Sequence, residues 1–109
     1  MRLENLKKNM HNLDFLGHCS PKLRKIVLSQ ADGQLVLAIC ECMLNFLLGN
    51  VKINDRVLDK LQKHKQNIRL LVDKGKTIKQ KKDLLVQKGG FLPLIIPAVL
   101  EIVTNLLKS

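Results

Sequence analysis

Residues 35–48, LVLAICECMLNFLL, constrain this chain more than any other stretch. Gln34, Ala38, Glu41 and Asn45 form one narrow stripe at helical spacing, and the rest of the run is apolar all round. At 14 residues it is too short to cross a bilayer. Such a segment belongs at the centre of a helical bundle, with the stripe expected to reach water. Gly49-Asn50 supplies the stop signal. A chain of 109 residues has room for one such core and one domain. A domain of that size buries about two-thirds of its unfolded surface, so a large enclosed active site is not expected.

The remaining segments also read as helix. Leu3, Leu6, Met10 and Leu13 share one face of a first helix, with Gly17 as its expected stop. Ser20-Pro21 is an N-cap followed by proline at the first helical position, and Leu23, Ile26 and Val27 are the expected buried face of that second helix. Asp32-Gly33 breaks it and caps the central helix. Asn54 caps the next one. Its inner face is Val57, Leu58, Leu61, Ile68, Leu71 and Val72. After Gly75, Thr77 and Gln80 have capping-box spacing and open a last basic helix leading to Leu84-Leu85-Val86. No repeat and no strand-like alternation is visible. The expected fold is all-α: a small bundle of four to five short helices, with a basic helical pair over 54–88. Residues 1–90 form the domain, its basic part 51–90, and 91–109 an apolar C-terminal tail.

Charge is concentrated in the middle. Lys and Arg number 19 against 9 Asp and Glu, a net +10. Residues 51–90 hold twelve Lys/Arg against four Asp, a net +8. An excess of this kind calls for a polyanion: nucleic acid or an anionic membrane surface. Fifteen of the basic residues are Lys and four are Arg. Lys is a point charge, whereas Arg is the usual bidentate reader of guanine, so phosphate binding without base readout is favoured. With no Trp, no Tyr and three Phe, base stacking has little to use. The candidate nucleic-acid-binding residues are Arg56, Lys60, Lys63, Lys65, Arg69, Lys74, Lys76, Lys79, Lys81, Lys82 and Lys88.

No nucleotide-binding glycine loop and no nucleophile elbow occurs, so no catalytic residue is expected. His11, His18 and His64 are isolated in sequence. Cys40 and Cys42 lie two apart on a helix and point to opposite sides, the wrong geometry for a zinc pair. No metal and no other cofactor is expected. Three cysteines, Cys19, Cys40 and Cys42, make a disulfide framework improbable and suggest a reducing setting. No apolar run follows Arg2, so the start does not read as a secretory signal.

Residues 91–107, FLPLIIPAVLEIVTNLL, sit at the lower length limit for a membrane span. Glu101, Thr104 and Asn105 oppose insertion. Pro97 removes the amide that would bond the carbonyl of Pro93, so a kinked or late-starting helix is expected. Two readings stand side by side. In one, the segment closes the core. In the other, Phe91, Leu92, Leu94, Ile95, Ile96, Val99, Leu100, Ile102, Val103, Leu106 and Leu107 contact an anionic membrane or a capsid partner.

The stretch Lys88-Gly89-Gly90-Phe91-Leu92-Pro93-Leu94-Ile95-Ile96-Pro97 resembles the C-terminal segment of adenovirus core protein X (mu) precursors. There, too, a basic region leads through Gly-Gly into an apolar tail with two prolines. The same order, with Ala38-Ile39-Cys40-Glu41-Cys42 and Gly49-Asn50-Val51, is similar to the small X proteins of Maverick/Polinton elements and adintoviruses. The resemblance implies a virion core protein that packs viral double-stranded DNA and is found in the host nucleus during infection, or an intracellular genomic relic of one. It also implies cleavage after Gly89-Gly90 by a viral cysteine protease, at the Gly90–Phe91 bond. The chain departs from that pattern at Gln87, where the protease prefers Met, Ile or Leu, and in being Lys-rich rather than Arg-rich.

The expected function is therefore non-enzymatic: sequence-independent DNA binding and condensation by phosphate neutralisation. The alternative is a membrane-active or capsid-interacting protein acting through the tail. Exposed apolar faces on so small a chain also make a homo-oligomer credible.

Overall fold

The computed structural model describes the backbone of residues 3–108 and the side chains of residues 4–101 and 104. Among the described residues all regular structure is helical, with eight α-helices in order: α1 (Leu3–Lys8), α2 (Met10–His18), α3 (Pro21–Ser29), α4 (Gly33–Leu47), α5 (Asp55–Gln62), α6 (Lys65–Leu71), α7 (Ile78–Lys88) and α8 (Leu92–Lys108). A 3-10 turn over Gly89–Phe91 joins the last two.

The all-α class agrees with the sequence; the count of four to five helices does not. Local competition for backbone bonds explains part of the difference. Asn9 divides α1 from α2: its Nδ2 donates to the Asn5 carbonyl at 2.9 Å, and its own N–H is shared between Asn5 and Leu6. A side chain that bonds the preceding carbonyl in this way loosens a helix. The expected pair over 54–88 is likewise three helices, because the His64 N–H turns back to the Leu61 carbonyl at 2.9 Å and separates α5 from α6.

The start signals hold. Ser20 Oγ accepts from the Leu23 N–H at 3.3 Å, Asp32 Oδ1 from Leu35 at 2.9 Å and Asn54 Oδ1 from Val57 at 2.9 Å. Thr77 and Gln80 close a reciprocal capping box, at 3.1 and 2.9 Å. Each cap satisfies a donor that the helix itself leaves open, worth about 1 kcal/mol. Gly49 adopts φ +77 just past α4, a conformation costly for any residue with a Cβ.

Three expected faces are corrected. On α3, Leu23 and Ile26 are exposed and Val27 is half-buried, while Arg24 and Leu28 are buried. The helix is rotated so that its Arg24–Leu28 side meets α7. On α4, the stripe does not reach water along its length. Ala38 and Asn45 are buried, and the open side runs through Gln34, Glu41, Leu44 and Leu48 instead. Asn45 tolerates burial because Nδ2 donates to the Glu41 carbonyl at 2.7 Å and Oδ1 accepts from Asn50 Nδ2 at 3.0 Å.

The third correction concerns the C-terminal segment. Residues 91–100 are not a tail beside a finished domain. Phe91, Leu92, Ile95, Ile96, Val99 and Leu100 are buried in one cluster with Leu13, Leu16, Ile39 and Met43. Helix α8 lies along α2 and α4. It runs through Pro97 without a break, and the ring packs on Gly17. Gly17 is thus not a stop: it lies inside α2, which ends one residue later. A Cβ at Gly17 would sit 3.4 Å from Ile96 and Pro97, ordinary contact distance. Gly17→Ala is therefore expected to raise stability by about 0.5–1 kcal/mol through helix propensity, and Gly17→Leu to lower it by about 1–3 kcal/mol through overpacking. Urea unfolding of both variants checks the opposite signs.

Candidate nucleic-acid interface

The eleven candidate basic residues lie on consecutive elements of the second half. Arg56 and Lys60 are on α5, and Lys63 is at its C-terminal end. Lys65 and Arg69 are on α6, Lys74 and Lys76 in the following loop, and Lys79, Lys81, Lys82 and Lys88 on α7. Burial of the apolar partners forces this display. Leu61, half-buried Val57 and half-buried Leu58 turn one side of α5 inward, which puts Arg56 and Lys60 on the other. Ile68 and Leu71 do the same for α6, and Leu85 for α7. Helices α6 and α7 pack on each other and on α4, which joins their basic positions on one body. His64 stacks at a tilt on Phe91, ring centroids 5.9 Å apart, and ties the α5–α6 junction to the Gly-Gly turn.

Seven of the eleven are exposed: Arg56, Lys60, Lys63, Arg69, Lys74, Lys79 and Lys88. Lys65, Lys76, Lys81 and Lys82 are half-buried. Long lysine stems can cover apolar surface while the ammonium stays in water. None of the eleven forms an ion pair among the described residues. Two of the four acids of this region, Asp55 and Asp73, serve local structure. Asp55 sits in the first turn of α5, where the helix dipole favours it. Asp73 Oδ1 accepts from the Gly75 N–H at 2.9 Å.

The other expected sites are placed as follows. Gly89 and Phe91 are buried and Gly90 is exposed, so the Gly90–Phe91 bond lies in a tight turn with one flank in the core. The six buried residues of 91–100 are turned into the core, and Leu94 is half-buried. The side chains of Ile102, Val103, Leu106 and Leu107 lie outside the described residues. By length and composition, Ile78–Glu101 is apolar enough to cross a membrane, a property it shares with buried core helices.

Among the described residues, no group of three His, Cys, Asp or Glu is placed to hold a metal. Cys40 Sγ donates to the Leu71 carbonyl at 3.7 Å, and Cys42 is fully buried. Burial, with a smaller push from the Glu41 charge, raises the Cys42 thiol from 9.0 to about 12. An unfolded Cys42 loses its proton near 9.0, whereas the folded one keeps it to about 12. The folded state therefore binds more protons in that window, and stability falls as pH rises through it. Between pH 8 and pH 10 the native chain is expected to lose more stability than Cys42→Ala, by on the order of 1 kcal/mol. Paired urea melts measure that difference, and equal losses would refute the assignment.

Neither a protein-family model, nor a curated protein, nor a solved structure matches the chain.

Proposed function

We propose that this protein is a non-enzymatic, sequence-independent DNA-binding protein that condenses double-stranded DNA by phosphate neutralisation, in the role of a virion core protein. One observation carries the reading. Eleven Lys/Arg side chains are displayed across α5, α6, the 72–77 loop and α7, and none is paired with an acid among the described residues. Each is a free cation able to displace a counterion from the duplex. Lysine predominates, in keeping with phosphate contact rather than base readout.

Fluorescence anisotropy with several unrelated duplexes across a salt series tests this. Engagement of about six to ten phosphates predicts a loss of affinity of about 10³–10⁵-fold between 50 and 200 mM salt, equal for all sequences. An affinity indifferent to salt, or a strong preference for one duplex, would overturn the proposal.

A further inference from the structure

Arg24 is poorly provided for. It is 8% exposed, and its guanidinium donates from Nη2 to the Cys19 carbonyl at a long 3.4 Å. Its Nε is buried with no hydrogen-bond partner, and no carboxylate pairs with it among the described residues. A guanidinium carries five N–H donors, and a buried charge without a counter-charge is costly. Sequence alone gives no sign of this, because the neighbouring Leu23 and Ile26 look like the buried side of α3.

Arg24 lines a cavity of about 210 Å³ between α3, the end of α7 and the Gly-Gly turn. Lys25, Gln87, Gly89 and Gly90 supply the other polar groups of its wall, and Leu28 lies among the apolar ones. Among the described residues, no Asp or Glu is present in that wall. A Cβ at Gly90 would meet nothing within 4 Å, so the turn leaves its backbone uncovered.

We propose that this cavity is an oxyanion site that takes a phosphate group, held by the Arg24 guanidinium with Lys25 as a second cation. The planar fork of an arginine matches two oxygens of one phosphate. Two cations with no acid favour a phosphate over a singly charged carboxylate. The site borders the C-terminal end of α7 beside Lys88 but does not depend on the DNA reading: neither Arg24 nor Lys25 belongs to the eleven residues of that surface.

The test follows the Arg24 Nε–H and Gly90 amide resonances in ¹H–¹⁵N spectra of the full chain. One arm adds inorganic phosphate at constant ionic strength, and the other adds a short duplex. Saturable shifts of both resonances are expected, with midpoints at millimolar concentration or below. Shifts with inorganic phosphate identify a free phosphate or monoester as the ligand, and shifts with the duplex alone identify a backbone diester. Arg24→Lys keeps a charge but loses the fork, and should weaken binding about tenfold. Lys25→Ala changes an exposed residue, leaves the fold intact and should weaken binding several-fold. The site is disproved if neither ligand moves the two resonances, if chloride moves them equally, or if Lys25→Ala binds as the native chain does.

Discussion

A chain ended at Gly90 is expected not to fold. The truncation removes Phe91, Leu92, Ile95, Ile96, Val99 and Leu100 from the centre of the core. Fully burying each such side chain is worth about 1.5–3 kcal/mol, so the loss is about 10 kcal/mol or more. A domain has about 5–15 kcal/mol in total. Loss of α8 also strips Leu13, Leu16 and Gly17 of α2 and Ile39 and Met43 of α4 of the side chains packed against them. Circular dichroism of residues 1–90 should show reduced helix and no cooperative melt, and the amide spectrum should collapse. A truncated chain melting cooperatively within about 5 °C of the full one would show that α8 is an appendage after all.

The second large effect concerns the basic surface. Lys60→Gln, Lys63→Gln and Lys79→Gln together change three exposed lysines of α5 and α7. Lys7→Gln, Lys8→Gln and Lys22→Gln remove the same charge from exposed positions of α1 and α3. If DNA lies along α5–α7, the first triple should make the salt slope shallower by about 2.7. It should also lower affinity on the order of 10³-fold at 50 mM salt, since each phosphate contact contributes about 0.9 to the slope. The second triple should do far less. Equal effects would mean that net charge alone attracts DNA. Both triples sit on the surface, where neutralising a lysine changes stability by no more than about 0.5 kcal/mol, so thermal melts should nearly coincide.

Much of this protein is legible locally. The caps at Ser20, Asp32, Asn54 and Thr77 act within three residues, so their spacing in sequence is already their geometry. Gly49 is equally local, and it stands where the chain needs a positive φ. The central helix is legible for another reason: a run as apolar as 35–48 has nowhere else to go. The basic surface follows as well, because periodicity puts Leu61, Ile68, Leu71 and Leu85 inside and leaves the lysines outward.

What the pattern left open is which apolar face meets which. Leu23 and Ile26 look more suited to burial than Arg24, yet α3 presents Arg24 and Leu28 to its neighbour. Neither residue's identity settles that; the position of α7 and the Gly-Gly turn does. Interruptions at Asn9 and His64 are equally hard to see, since each depends on one carbonyl being bonded in preference to another.

Composition and spacing thus determined the helical class, the cap positions and the sign and location of the charge, because each arises from contacts close along the chain. The tertiary structure alone decided that Phe91–Leu100 is core, that Gly17 is a seat for Pro97 and that Arg24 faces a cavity. An apolar helix carries the same sequence whether it covers a core, a partner or a membrane. Only the unfilled faces of α2 and α4, far away in the chain, determine which of these it covers.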